Sequence, residues 1–240
     1  MTDQKTANGL IDESLYSRQL YAIGSDAMSK MTKSSVLITC AENFSGSALE
    51  LAKCIVLAGV RRVSLHAYTD VLTYRDLASN YYASEKDIGK SFFNNVIKQI
   101  SSLNSNVVVT KISVLTESIV HSHDVVVFCD YNVHDILGWN KQCRKNGVKF
   151  IMLQTHGLTF NLFCDFGDNF VTNDPDGEQL RTGTLLETKG NIFKAFENHN
   201  LYTGEIIEII GDVLGLVSVD DNGNNKKYII DNISGTEFGL

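Results

Sequence analysis

The sequence predicts an α/β protein: a doubly wound, mostly parallel sheet followed by a small all-β, barrel-like domain. Three observations carry this reading. Over the first two thirds of the chain, short apolar runs alternate with segments of helical spacing, the pattern of buried parallel strands joined by crossover helices. That helical spacing stops near Gly167. Beyond it, short β-rich runs are separated by turn clusters rich in Asn, Asp and Gly. The implied division is 1–168 for the α/β domain and 169–240 for the β domain.

Each element has its own reason. An amphipathic N-terminal helix is expected, with Leu20, Ile23, Ala27 and Met31 facing inward. Residues 35–39 (Ser-Val-Leu-Ile-Thr) read as a buried first strand. Residues 46–58 carry Ala48, Leu51, Ala52, Ile55 and Val56 at helical spacing, and Gly59 follows where a left-handed residue closes a helix. With a strand at 63–65, this makes a strand–helix–strand unit of about 30 residues. A helix over 87–103 is expected to be capped by Asp87 and lined by Val96, Ile97, Ile100 and Leu103. Strands at 107–109, 124–129 and 148–153, and a helix at 133–146 closed by Gly147, complete the doubly wound pattern. In the last third, runs at 170–172, 184–188, 192–196, 205–210, 216–219 and 228–230 suggest a small barrel or sandwich. The clearest turns between them are 173–177 and 220–225.

Composition narrows the function. Hydrophobic residues make up 43% and charged residues 20% of the 240, which excludes a disordered or fibrous chain. A net charge of −7 argues against a nucleic-acid or anionic-membrane partner, since both require a surplus of Lys and Arg. No apolar run approaches the ~20 residues of a spanning helix, and residues 1–13 are polar and acidic, unlike a signal peptide. A soluble, intracellular protein is therefore expected. The cysteines are Cys40, Cys54, Cys129, Cys143 and Cys164, odd in number and without a Cys-x-x-Cys pair. They are expected to be reduced and mostly buried.

An open α/β sheet binds ligands beyond the carboxyl ends of its strands. A phosphate loop there needs several glycines, so that the backbone can approach the phosphate and aim its N–H groups at it. The turn after the first strand reads Cys40-Ala41-Glu42-Asn43-Phe44-Ser45-Gly46, with one glycine, an added negative charge and a bulky ring. The second strand ends Leu65-His66-Ala67, without the acidic residue that binds a ribose hydroxyl. These residues point to a nucleotide-type fold without its own nucleotide.

Four segments occur in a telling order: Tyr16-Ser17-Arg18-Gln19-Leu20-Tyr21, Ala58-Gly59-Val60, Asp87-Ile88-Gly89-Lys90 and Leu162-Phe163-Cys164-Asp165-Phe166-Gly167. In these the chain resembles the N-terminal part of single-chain ubiquitin-activating enzymes, from about Leu15 to Ile233. The resemblance implies a Rossmann-like, ThiF-type adenylation fold. It identifies 1–168 with the first part of the inactive adenylation domain and 169–240 with the first catalytic cysteine half-domain. Two-chain relatives for other ubiquitin-like proteins lack that inserted β-domain, so its presence points to the ubiquitin type. In the family, Mg-ATP is used by the active half to adenylate the ubiquitin C-terminus. A ubiquitin thioester then forms on a cysteine, from which conjugating enzymes are charged. The active pattern has a lysine two residues after that of Asp-Ile-Gly-Lys, where this chain has Phe92, and Asp76-Leu77-Ala78-Ser79-Asn80 replaces its asparagine–arginine segment.

The resemblance therefore implies a catalytically silent half that binds no cofactor alone and carries no catalytic residue of its own. Its partners are ubiquitin, the active adenylation half and, through the whole enzyme, conjugating enzymes, in the cytoplasm and nucleus. One residue maps to a site role, Arg18, which in similar enzymes crosses to the other half and contacts the phosphates of ATP; a planar guanidinium suits that task. The thioester-forming cysteine of such enzymes lies later than residue 240, and Cys164 is expected to be a core thiol with a raised pKa. His121-Ser122-His123-Asp124 reads as a solvated turn rather than a metal site. By the same resemblance, the sequence stops after the inserted domain and before the rest of its host, so an exposed docking face should favour self-association. The alternative is a freestanding, non-catalytic subunit that pairs with a separate active chain.

Overall fold

The computed structural model describes residues 11–172, 181–210 and 226–239. The larger unit begins with α1 (Glu13–Met31), β1 (Ser35–Cys40), α2 (Gly46–Ala58) and β2 (Arg62–Ala67). It continues through α3 (Phe92–Ser101), β3 (Val108–Lys111), α4 (Glu117–His121), β4 (Val125–Cys129), α5 (Val133–Lys145), β5 (Lys149–His156) and β6 (Thr159–Asp165). These strands form one six-stranded sheet in the order β3-β2-β1-β4-β5-β6. All neighbours are parallel except β5 and β6, which form an antiparallel hairpin. The chain order reverses between β1 and β4, so the ligand-binding position of an open sheet lies between their carboxyl ends.

Helices cover both faces. On one side, Ala48, Leu49, Ala52 and Val56 of α2 and Phe92, Phe93, Val96 and Ile100 of α3 pack on Val36, Ile38, Val63, Leu65 and Val127. On the other, Val120 of α4 and Ile136 and Cys143 of α5 pack on Leu37, Val126, Phe128 and Phe150. β1 is buried along its whole length, as its unbroken apolar run requires.

Several boundaries differ from the sequence pattern. α3 starts at Phe92 and is capped by Ser91, whose Oγ accepts from Asn94 N. Asp87 instead closes a short 3-10 turn, its carboxylate accepting from the N–H and hydroxyl of Ser84 at 3.1 and 2.8 Å. Leu103 lies beyond the helix and is exposed. In α1 the buried side chains are Tyr16 and Met28, while Ile23 and Ala27 face solvent. The cause is Gly24, whose φ of 78° and ψ of 169° break the helical path and reset its phase. The hairpin strand β6 and the short helix α4 lie where the sequence pattern gave no element, and 170–172 is not a strand. β6 escapes period-2 reasoning because apolar side chains stand on both its faces.

The second compact unit begins after Val171. It contains β7 (Leu185–Lys189), β8 (Ile192–Ala195), β9 (Ile206–Glu208), β10 (Lys227–Ile229), β11 (Asp231–Ser234) and β12 (Glu237–Gly239). They form two antiparallel sheets, β11-β12-β8-β7 and β10-β9. Phe193, Ile209, Ile230 and Phe238 make its core, with the Phe193 and Phe238 rings stacked at 5.6 Å. The expected run at 216–219 and the turns at 173–177 and 220–225 lie outside the described residues.

Candidate functional site: the carboxyl end of the sheet and the N-terminal helix

The register brings Cys40, Ala67 and Cys129 side by side at the tips of β1, β2 and β4. This is where a nucleotide-binding sheet opens its crevice, and here it is packed with rings. Phe44, in the turn after β1, is buried against Phe92 and Phe93 at centroid distances of 5.6 and 5.5 Å. Phe92 and Phe93 are themselves edge-on at 5.5 Å. Gly46, at the first position of α2, lies against Ser79, which a Cβ there would meet at 2.3 Å. The turn is also tied down by its backbone: Ala41 N–H donates to the Cys129 carbonyl and Thr69 N–H to the Glu42 carbonyl.

Two lysines here, one on the loop after β2 and one at the end of β3, are paired with carboxylates. Lys90 is paired with Asp87 at 3.2 Å, and Lys111 with Asp70 at 2.5 Å. Burial raises the Asp70 carboxyl, but the bonds from Lys111, Phe93 N–H and Ser91 more than compensate and hold it below the usual range. Asp-Ile-Gly-Lys thus forms a turn that ties the 68–91 loop to α3: Gly89 has a φ of 81° and donates to the Leu72 carbonyl, and Leu72 N–H donates to the Lys90 carbonyl. Triphosphate charge at this end would meet the Phe44, Phe92 and Phe93 rings, with Lys90 and Lys111 each already held by a carboxylate. Mg-ATP does not fit these residues.

On the opposite face of the same strand tips sits a buried polar network that the sequence reading missed. Thr39 Oγ1 hydrogen-bonds His66 Nδ1 at 2.8 Å and the Tyr131 hydroxyl at 2.7 Å. Burial pushes the His66 pKa down and the Tyr131 phenol up, so both are held neutral. Asp130, in a left-handed conformation with φ 58°, accepts from the N–H and hydroxyl of Thr155. The signal was a Tyr and an Asp directly after an apolar strand, next in register to Thr39 and His66.

α1 explains two of the sequence segments together. The Tyr16 ring lies on Gly59, where a Cβ would come within 2.5 Å of the phenol oxygen, and Gly59 itself has a φ of 87°. Asn104 Nδ2 donates to the Tyr16 hydroxyl at 2.7 Å and to the Val56 carbonyl at 3.0 Å, and Gln19 Nε2 donates to the Ala58 carbonyl at 3.1 Å. Tyr16, Gln19 and Gly59 therefore lock α1 to the end of α2. Arg18 stands on the helix between these anchors and is exposed, with no hydrogen bond or ion pair among the described residues. Leu15 and Tyr21 on the same helix are exposed as well.

Two expectations are corrected. His123 is a buried core residue rather than part of a solvated turn: its Nδ1 meets the Ile119 carbonyl at 2.7 Å and its Nε2 the Ser64 hydroxyl at 2.8 Å. Cys164 is exposed on β6 and is no core thiol, because β6 is the outermost strand of the sheet among the described residues. Cys40, Cys129 and Cys143 are buried, and burial raises the Cys143 thiol to about 11. Among the described residues no group of three potential ligands could hold a metal, and no helix is long and apolar enough to cross a membrane.

No family model matches the chain. Curated relatives do. The human ubiquitin-like modifier-activating enzyme 1 is 35% identical over 225 residues, 91% of this chain and 21% of the relative. The ubiquitin-activating enzyme E1 1 of Schizosaccharomyces pombe is 33% identical over 231 residues, 95% of this chain and 22% of the relative. The mouse ubiquitin-like modifier-activating enzyme 7 is 32% identical over 88% of this chain. A crystal structure of E. coli MccB + MccA-N7isoASN superposes with a TM-score of 0.51 over 70% of this chain and 54% of that one, at 18% identity, a likeness of fold. Along nine tenths of its length the chain is thus similar to ubiquitin-activating enzymes, and it spans about a fifth of the length of the curated relatives it matches.

Proposed function

We propose that this chain is the non-catalytic half of an adenylating assembly of the ubiquitin-activating type. In this reading 1–168 is the first part of the inactive adenylation domain and 169–240 the first catalytic cysteine half-domain. The observation that carries it is the ring packing of Phe44 on Phe92 and Phe93 where the active pattern needs glycines and a lysine. A chain so filled supplies a scaffold, while Mg-ATP chemistry on the ubiquitin C-terminus belongs to the active adenylation half. Conjugating enzymes receive ubiquitin from the whole assembly, in the cytoplasm and nucleus. Nucleic acid and membrane are not partners.

Arg18 is this chain's contribution to that chemistry. A helix fixed by Tyr16 and Gln19 holds an unpaired guanidinium outward, ready to take two phosphate oxygens of ATP in the other half. Stabilising charge that grows as pyrophosphate leaves would raise turnover more than nucleotide affinity. The experiment is ATP–pyrophosphate exchange with ubiquitin and magnesium. The chain alone should give no exchange, and exchange above background would overturn the reading. When it is combined with the active half, Arg18→Ala should slow ubiquitin adenylation at least ~10-fold. An unchanged rate would remove Arg18 from the site.

A further inference from the structure

Beside Leu37 on the sheet, β2 and β3 present hydroxyls where β1 and β4 present apolar side chains. Ser64 of β2 is the register partner of Leu37 on one side and of Thr110 of β3 on the other, and the two hydroxyls meet at 3.1 Å. His123, at the exit of α4, reaches this pair with Nε2 lying 2.8 Å from the Ser64 hydroxyl, and the residue is 4% exposed. The chemistry of the partners fixes the direction of every bond in the row. Nδ1 lies 2.7 Å from the Ile119 carbonyl, which can only accept. It also lies 3.2 Å from the Ser122 hydroxyl, whose own proton goes to that same carbonyl at 2.8 Å. Nδ1 therefore carries the ring proton and Nε2 of the neutral ring accepts. Ser64 donates to Nε2 and in turn accepts from Thr110.

A second ring proton disrupts this row. Placed on Nε2, it faces the proton of Ser64, which must turn to Thr110, and Thr110 must then turn away. The charge would also be buried with little to offset it. Arg62 of β2 donates through Nη2 to the Ser122 carbonyl at 3.0 Å and is itself a cation. Asp124, the next residue, is engaged by the N–H and hydroxyl of Ser35, both at 2.7 Å. His121 turns to Asn146 at 2.9 Å, Glu117 is exposed, and Lys111 of β3 is paired with Asp70. Burial pushes the His123 pKa down and Arg62 adds to the effect, while the Ile119 bond and Asp124 oppose it. α4 has five residues, too few to hold a helix alone, and its other anchors are Val120 and the partly buried Ile119.

We propose that His123 is a pH-sensitive catch: neutral, it ties the α4 segment to β2 and β3, and charged, it lets that segment open while the rest of the sheet stays folded. Opening brings the ring into water, where a histidine takes its second proton near pH 6.5. The open form binds that proton more readily than the closed one. It is therefore rare above about pH 6.5 and grows as the pH falls below that value.

Two measurements on the full wild-type chain test this. Nitrogen NMR of the His123 ring at pH 7.5 should find the proton on Nδ1 and Nε2 bare. Amide hydrogen exchange, corrected for the intrinsic effect of pH, should show the opening. The N–H groups of Val120, Ser122 and His123, bonded to carbonyls of residues 116–120, should lose protection about 3- to 10-fold between pH 7.5 and 5.5. Leu37 and Ile38 of β1 should stay at least ~10-fold better protected at both values. His123→Gln, which cannot take the charge, should make the protection of Val120 and Ser122 independent of pH. A proton found on Nε2, protection at 120–123 that ignores pH, or a fall shared equally with β1 would overturn the proposal. So would a folded His123→Gln chain that keeps the full dependence; a variant that does not fold leaves the wild-type readings to decide.

Discussion

The carboxyl end of the sheet and the N-terminal helix are built on opposite plans. At the strand tips, where a nucleotide-binding sheet keeps glycines and free cations, Phe44, Phe92 and Phe93 form a dry cluster and both nearby lysines are paired. On α1, whose apolar spacing predicts a buried face, Leu15 and Tyr21 stay exposed beside Arg18, which has no ion pair among the described residues. The contrast teaches that one face of the strand tips is closed by packed rings, while α1 presents an unpaired cation and apolar side chains to solvent. The ring cluster stabilises this fold, whereas Arg18, Leu15 and Tyr21 on α1 bury little within it.

The largest expected effect follows from the first region. Phe44→Ala should cost about 3–5 kcal/mol, since a buried ring is lost and Phe92 and Phe93 cannot fully close the space. A chemical denaturation series measures it, and a loss below ~1 kcal/mol would show that the cluster is loosely packed. The cavity should still not bind ATP, because no cation is freed.

Next comes the joint between the regions. Gly59→Ala puts a Cβ into a left-handed residue and against the Tyr16 ring, and should cost about 2 kcal/mol or more. Tyr16→Phe keeps the ring, loses the Asn104 bond and should cost about 1 kcal/mol. If both variants melt like wild type, α1 is not anchored through this contact.

A smaller effect is pH-dependent. His66 and His123 are buried, and burial depresses both pKa values below that of an unfolded histidine, about 6.5. Between the depressed folded value and 6.5 the unfolded chain binds more protons. Stability is therefore full above about pH 6.5 and falls as the pH drops below it, by at most about 1.4 kcal/mol per pH unit for each histidine. Melting temperatures at pH 7.5, 6.5 and 5.5 measure the slope, and His66→Gln with His123→Gln should flatten it. The smallest effect is at Arg18: Arg18→Ala should change stability by less than ~0.5 kcal/mol, as for an exposed residue without partners. A larger loss would mean that Arg18 has a structural duty and would blur the contrast.

Much of the α/β unit was legible because buried parallel strands and crossover helices write unmistakable periods. β1, α2 and β2 follow the apolar spacing of 35–65, and Gly59 is left-handed as its place after α2 requires. The start of α3 was misplaced because Asp87 and Ser91 are both acceptable caps in sequence; Asp87 is engaged by Ser84 in a tighter turn. The phase of α1 was lost at Gly24, since a single residue's backbone angles do not appear in an apolar pattern. His123 and Cys164 were misread for one reason: whether a residue at a strand's end is covered depends on which strand lies outermost.

At the candidate site, the single glycine, Phe44 and Phe92 were visible as a departure from a phosphate loop, and their chemistry alone said that a cation and backbone room were missing. Arg18 was legible only by resemblance, because an exposed arginine leaves no periodic trace. The sequence by itself determined the fold class, the missing phosphate loop and the place of the strands, since these depend on local period and residue type. Only the tertiary structure decided that Phe44 reaches Phe92 and Phe93 across 48 and 49 positions, that Tyr16 rests on Gly59, and that β6 is the outermost described strand of its sheet. Those facts depend on contacts between residues far apart in the chain, which the chain's order does not encode until it is packed.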